Sequence, residues 1–411
     1  MNKIVLAGAS VYGLNNISDD SMLKVFSDEL HRLDPRIEII LLTRHPNAAY
    51  DIEFQVKSIP NLDHQRREDS AGRWFNGLNP KDDPENMRGI TKAIKDADLL
   101  VMGGDPFIDI TLGFYRGIIP YTVLLLTLAK FMNTKFMING VHMGRALQTK
   151  IGLEQSKYCV SNADCITIRE EHTRFLFKEM GYWPLPNVHT LSDASYGLKP
   201  IKEKSRGIEI LRKENIRFPK GGLMGVTFRH MYWKWGADEW SKYSTMVARI
   251  CDDVFERKGL SILFIPHNTY EKDTKYMDDR PGHSEIVAKM KHKNVAHQIK
   301  SRLSVDDTLA LFPLLDITFS NRRHTAMFAA LHDVVGMGVG EINHVKPPME
   351  QLGINPDKFV SEEDFDYKLM RDNLFSIWDD KAIIKLRIKD KLPALRQKAL
   401  DNSKFALNLL Q

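Results

Sequence analysis

Short apolar runs alternate along this chain with stretches of helical periodicity, and that alternation limits the fold more than any other feature. In the first half the runs are Lys3–Ala7, Ile37–Leu42, Leu99–Met102, Lys135–Asn139, Cys165–Ile168 and Val188–Leu191. Helical stretches at Asp20–Leu33, Asn86–Ala97, Pro120–Met132 and Glu171–Met180 lie between several of them. Strand–helix alternation of this kind predicts a parallel sheet covered on both faces. The rhythm pauses near Gly197–Gly222, a basic stretch with Pro200, Pro219 and a Gly221-Gly222 pair, which predicts a helix and a linker. A second series follows, with strands at Leu223–Phe228, Ser261–Ile265, Asp316–Ser320 and Val334–Gly338. Helices at Glu239–Lys258, Val305–Pro313 and Arg322–His332 separate them, the second opened by a capping-box pattern, Ser304 with Asp307. The expected fold class is therefore α/β, with two Rossmann-like doubly wound domains facing a cleft. Residues 1–198 form the first domain and 199–360 the second. Charged helices over 361–411 are expected to cross back onto the first.

Composition narrows the function classes. The chain has 411 residues, 43% apolar and 27% charged, enough to bury sizeable cores. A net charge of +5, from 58 basic and 53 acidic residues, is mild at this length. It gives no nucleic-acid footprint but suits an anionic small molecule. Cys159, Cys165 and Cys251 form an odd set without a CxxC spacing, so they read as reduced and structural, as in a cytoplasmic protein. The opening MNKIVLAGAS reads as a first strand and not as a signal peptide. The longest apolar run, Gly117–Ala129, is too short to span a bilayer and contains Pro120, so a buried helix is expected there. A peripheral membrane contact and a homo-oligomer both stay open. The polar segment from Pro60 to Arg88 is either a functional lid or disordered.

Ligands of open α/β sheets bind outside the carboxyl ends of the strands, so the residues just after each run are the ones to weigh. After the first run comes GASVYGLNNISDD, where Gly8 and Gly13 permit close backbone approach. Asn16, Ser18, Asp19 and Asp20 then open a helix, either as plain caps or as an amide and a carboxylate held for a ligand. Gly103-Gly104-Asp105 is either a tight turn or backbone pressed against a ligand. Arg169 ends a strand and suits a carboxylate or phosphate, unless it pairs with Glu170, Glu171 or Asp164. Arg229-His230 follows a strand and precedes Tyr232, Trp233, Trp235 and Trp240, which are either a sugar platform or core. Pro266-His267 ends another strand. The densest set is Ser320-Asn321-Arg322-Arg323-His324, closing a strand and opening a helix. A helix N-terminus offers free N–H groups and a positive dipole end, so this set predicts an anion site with a proton donor. Scattered histidines give no metal set, and neither GxGxxG, a Walker lysine, GxSxG nor HExxH is present.

Taken in order, these motifs resemble the polysaccharide pyruvyl transferase family. The matching pieces are Asn16-Ile17-Ser18-Asp19-Asp20, Gly103-Gly104-Asp105, Arg169 in ITIREEHTRFLFKEMGY, Asp193 in TLSDAS, Arg229 in GVTFRH, Ser320-x-Arg322-x-His324, and Lys346 about one strand later. Ser18 stands where the family usually has Gly, and Asn139–Arg145 lacks the family's proline. The resemblance implies a GT-B-like fold and transfer of a pyruvyl unit, as a ketal, from phosphoenolpyruvate to a sugar-containing acceptor. It implies phosphoenolpyruvate-site roles for Arg169, Arg322, His324 and Lys346. Ser320, Arg229, Asn16, Gly103 and Gly104 are expected to complete substrate binding, and no cofactor or metal is expected beyond the phosphoenolpyruvate co-substrate. On this reading His324 is the general acid and Asp19 the base. The rivals are a GT-B-type nucleotide-sugar glycosyltransferase and a non-catalytic binding protein.

Overall fold

The computed structural model of the protein describes residues 2–8, 12, 15–43, 46–61, 84–108, 118–269 and 278–411. The chain divides into two compact units, Met1–Gly197 with Leu395–Gln411, and Leu198–Ala394.

The first unit is built on strands β1 (Lys3–Gly8), β2 (Glu38–Thr43), β3 (Lys57–Pro60), β4 (Leu99–Gly103), β5 (Lys135–Val141), β6 (Cys165–Ile168) and β7 (Val188–Thr190). Its helices are α1 (Ile17–Leu33), α2 (Ala48–Phe54), α3 (Pro84–Lys95), α4 (Ile118–Phe131), α5 (Lys150–Asn162) and α6 (Glu171–Glu179). The strands pair in parallel in the order β3-β2-β1-β4-β5-β6-β7. Every residue of β4 and β6 is buried, which is why these strands read as unbroken apolar runs. The long apolar run is α4, with Pro120 in its first turn, where the missing N–H costs nothing. The segment expected as a lid or as disorder runs from the end of β3 into α3, and residues 62–83 lie outside the described residues.

The second unit has strands β8 (Leu223–Thr227), β9 (Ser261–Phe264), β10 (Ala296–Gln298), β11 (Ile317–Ser320), β12 (Gly336–Gly340) and β13 (Val360–Ser361). Helices α7 (Lys204–Lys213), α8 (Tyr232–Lys258), α9 (Arg280–Lys289), α10 (Val305–Leu311), α11 (Arg323–Leu331), α12 (Ile342–Gln351) and α13 (Tyr367–Asp379) accompany them. The parallel order is β10-β9-β8-β11-β12-β13. Both sheets therefore reverse direction beside their own first strand, at β1/β4 and at β8/β11. These are the topological switch points where α/β sheets receive ligands. Ser304 caps α10 as expected, accepting from the Asp307 N–H at 3.1 Å, while the Asp307 carboxylate turns to Arg206. The last helix, α14 (Lys381–Asn408), starts in the second unit and ends in the first. There buried Asn402 accepts from the Thr167 hydroxyl at 2.7 Å, and Ser403 donates to the Phe26 carbonyl. Among the described residues no helix is long and apolar enough to cross a membrane.

Candidate functional site

At the β1/β4 switch point the two strands end side by side on glycines, Gly8 opposite Gly103. Both are glycine for the same reason. A Cβ on Gly8 would lie 2.6 Å from the Tyr12 ring, and one on Gly103 would lie 2.3 Å from the Tyr12 hydroxyl oxygen. The close approach expected of Gly103 is thus made by an internal tyrosine and not by a ligand. Gly104 has φ +79°, a left-handed conformation that turns the chain toward Asp105. Gly13 lies outside the described residues. Asn16 is the N-cap of α1: its side chain accepts from the Ser18 N–H at 3.2 Å and donates to the Asp19 carboxylate. Asp19 is half-buried, while Asp20 is buried and accepts from the Tyr50 hydroxyl at 2.7 Å. Burial, and then the charge of Asp19, push the Tyr12 phenol well above its usual range.

Arg169 corrects an expectation. Its side chain is 1% exposed. Its Nε donates to the Gly140 carbonyl, Nη1 to Asp193 at 3.1 Å and Nη2 to Asp105 at 2.8 Å. The fork expected to hold a phosphate or carboxylate of a substrate is therefore taken by two carboxylates of the protein, neither of them the neighbours Glu170, Glu171 or Asp164. Burial works against its charge, but Asp105 and Asp193 outweigh that and hold its pKa above the ordinary value. The stretch Asn139–Arg145 explains the third bond. Between Ile138 and Val141 the β5/β6 register shifts, and Gly140, at φ +68°, turns its carbonyl to the guanidinium. Glu170 pairs instead with His142 at 2.6 Å, both buried. The outcome at this switch point is one buried cation among Asp19, Asp20, Asp105, Asp193 and Glu170.

The β8/β11 switch point has the opposite balance. Ser320, at the end of β11, donates to the Thr227 carbonyl at the end of β8 and accepts from the Arg322 N–H, each at 2.8 Å. Ser320 thus ties the two strand ends to the start of α11; this corrects its reading as a substrate ligand. Asn321 does the same for Arg229: the Arg229 N–H donates to its Oδ1 at 2.7 Å and its amide donates to the Arg229 carbonyl at 3.0 Å. The Arg229 side chain is half-buried at this rim. Arg322 occupies the N-cap position of α11 without a side-chain capping bond, and its Nη2 is ion-paired with Asp279. Asp279 is itself fixed by the N–H groups of His267 and Asn268, both at 3.0 Å. Burial would raise the Asp279 carboxyl, but Arg322 and His283 outweigh it and hold the carboxyl below the usual range. The Arg322 Nε is buried with no hydrogen-bond partner among the described residues.

Four buried imidazoles surround this pair: His230, His267, His283 and His324. His283 Nε2 accepts from the Phe228 N–H at 3.3 Å, and burial followed by the Arg322 charge pulls its pKa down to about 4, so it is neutral. Burial and Arg322 also push His267 well below its ordinary value, and burial lowers His230. His324 lies in the first turn of α11, its ring 6.0 Å from that of Phe328, which His267 also flanks at 5.4 Å. Lys346 sits on α12, after the adjacent strand β12, with Glu350 3.6 Å away as an ion-pair partner. Of the aromatic cluster Trp240 is core, fully buried with its Nε1 donating to Glu285 at 2.7 Å, and half-buried Trp235 meets Tyr243 and Phe365 edge-on. Nothing is described for the side chains of Tyr232 and Trp233. Among the described residues no His, Cys, Asp or Glu group could hold a metal ion.

Sequence reasoning missed Tyr12, Asp279 and His283. Glycines ending two strands, with an aromatic four residues after the first, are the signal that could have found Tyr12. Asp279 follows residues 270–277 and carries no pattern of its own.

A family model described as polysaccharide pyruvyl transferase matches residues 19–341. No curated protein matches the chain. Solved structures with similar folds include a glycosyltransferase from Rickettsia africae, with TM-score 0.61 and 10% identity over 99% of this chain and 98% of that one. The UDP-GlcNAc 2-epimerase from Neisseria meningitidis, bound to UDP-GlcNAc, aligns with TM-score 0.57 and 10% identity over 100% and 99%. Anabaena HepE in complex with UDP and glucose gives 0.60 and 10% over 100% and 99%. At such identity the likeness is one of fold, two Rossmann-like domains.

Proposed function

The chain belongs to the polysaccharide pyruvyl transferase family, and from that premise we propose that it moves a pyruvyl group from phosphoenolpyruvate onto two hydroxyls of a sugar-containing acceptor, as a cyclic ketal. The observation that carries this reading is the head of α11. There Arg322, steered by buried Asp279, and His324 stand together at a helix N-terminus at a switch point. Phosphoenolpyruvate has a carboxylate, a phosphate and a C=C bond. The proposed donor ligands are Arg322, Lys346 and Arg229, with Arg169 reassigned to holding Asp105 and Asp193.

The proposed reaction runs in two additions. His324, as imidazolium, gives a proton to C3, and the oxygen of the first hydroxyl bonds to C2. A general base takes that hydroxyl's proton. The C2–O bond to phosphate then breaks, and phosphate leaves with the electron pair. The second hydroxyl bonds to the resulting oxocarbenium carbon and its proton returns to His324, closing the ketal. A positioned general acid contributes roughly 10²–10⁴-fold.

The test is thermal stability with and without millimolar phosphoenolpyruvate, for the wild type and for Arg322→Ala, followed by phosphate release across an acceptor panel. A ligand at about 100 times its Kd adds about 2.7 kcal/mol to the folded state. The expected result is an upward shift that Arg322→Ala loses. His324→Ala should keep the shift and lose roughly 10²–10⁴-fold in turnover. A shift with nucleotide sugars and none with phosphoenolpyruvate would instead favour a glycosyltransferase. Binding with no phosphate release on any acceptor would favour a binding protein.

A further inference from the structure

The outer face of α14 serves neither switch point, yet its composition is specific. Over Lys381–Ala394 it carries five basic residues, Lys381, Lys385, Arg387, Lys389 and Lys391, against one acid, Asp390. The inner face is ordinary core, with Ile384 and Ile388 buried one turn apart. The opposite face is also apolar. Ile383 is 54% exposed and Leu386 69% exposed, and Ala382, Pro393 and Ala394 are exposed with them. At 100° per residue these five fall within one arc of the helix, and the exposed Asp390 is the one charged residue inside it. Lys385 and Lys389 border the arc on one side, Arg387 and Lys391 on the other. Among the described residues none of these four cations has an ion-pair partner, whereas the nearby Lys404 pairs with Asp401 at 2.7 Å.

A mainly apolar stripe, here interrupted one turn after Leu386 by Asp390, between two rows of unpaired cations is the pattern of a helix lying in a lipid–water interface. The apolar side chains enter the acyl boundary, and the Lys and Arg stems extend outward so that their charges meet headgroup phosphates. Two large apolar side chains bury too little area to hold a protein of this size on a neutral bilayer, so the charges must supply most of the attraction. From this charge complementarity we infer that the exposed face of α14, centred on Leu386 and Ile383, is a docking surface for an anionic lipid bilayer. The inference stands apart from the donor assignment, since no residue of either switch point takes part. It gives a transferase without a spanning helix among its described residues a way to work at a membrane surface.

The experiment is sedimentation of the full-length protein with vesicles of phosphatidylcholine alone or with 30% phosphatidylglycerol, at low salt and again at high salt. Binding is expected only to the anionic vesicles and is expected to fall at high salt. Each cation near a surface is worth roughly five-fold in partitioning, so K385Q/K389Q/K391Q should lose about a hundred-fold. L386Q should also weaken binding at unchanged thermal stability. A control variant with the same charge loss elsewhere, K199Q/K202Q/K204Q, should bind like the wild type. Equal binding to neutral vesicles, equal loss in the control, or undiminished binding by the α14 variant would each overturn the proposal. So would a self-association abolished by L386Q without vesicle binding, because the face would then belong to a second copy.

Discussion

Replacing Arg169 by methionine tests whether it is an internal organiser or a substrate ligand. Methionine keeps much of the stem volume and removes the guanidinium. Asp193, which is 0% exposed, then loses its ionic partner, and the Gly140 carbonyl loses its donor. Asp105 is partly exposed and recovers some hydration. Removing one partner of a buried ion pair costs about 3–5 kcal/mol, because the other charge stays buried. For a domain of ~200 residues this is a fall on the order of 10 °C in Tm. Two units unfold independently in many proteins, so a single global transition is a poor assay. Hydrogen exchange read on β5 and β6 peptides under increasing urea reports on the right unit. Arg169→Met combined with Asp193→Asn removes the stranded charge, while the new amide still accepts from the Ser195 N–H that Asp193 holds at 3.0 Å. The double variant should recover roughly 1–3 kcal/mol relative to additivity. A substrate ligand behaves otherwise. If Arg169→Met exchanged like the wild type, with donor binding lost, the organiser role would be wrong.

Two further outcomes follow from the same geometry. Asp279 is held below its ordinary pKa chiefly by Arg322 against the effect of burial. Its contribution is present above its unfolded value of about 3.9 and is lost as pH falls through that range toward the folded value. Asp279→Asn should therefore cost about 1–3 kcal/mol at neutral pH and flatten the loss of second-unit stability between roughly pH 5 and 3, read by urea unfolding; an unchanged acid slope would exclude this pair as its source. Gly103→Ala puts a Cβ 2.3 Å from the Tyr12 hydroxyl oxygen but 3.3 Å from the ring carbon that bears it. It should cost about 1–3 kcal/mol alone and less when combined with Tyr12→Phe; additive costs, measured by thermal melts, would show that the clash is relieved elsewhere.

Much of the scaffold was legible because its strands are buried on both faces. Cys165–Ile168 has the same bounds in sequence and structure, and β1, β4, β8 and β11 differ from their expected ranges by a residue or so at an end. The strands that were not foreseen are β3, β10 and β13. They stand at or near sheet edges, are short and are only partly buried, so KSIP, AHQ and VS show no apolar run. The rule that function sits after strands led to Arg169, Arg229, His267 and Ser320, and each does lie at a strand end. It could not tell a residue that faces a ligand from one that faces the protein. For Arg169 that distinction depends on Asp105 and Asp193, 64 and 24 positions away along the chain, which only folding brings together.

Two sheets with the same leading strand order have thus been given opposite chemistry at the same topological point. In the first unit Arg169 meets two carboxylates, Asp105 and Asp193, with Asp19 and Asp20 close by, so negative charge exceeds what its guanidinium can neutralise. In the second, Arg322 pairs with buried Asp279, buried Asp278 is taken by Arg280, and half-buried Arg229 stands at the same strand ends. His267 and His283 are kept neutral there by burial and by Arg322, so they add hydrogen-bonding capacity without adding charge. An anion bound beside them would weaken both effects of Arg322 on the imidazoles, raising their pKa values. Anion binding at Arg322 and the proton affinity of His267 and His283 would therefore be coupled at this switch point.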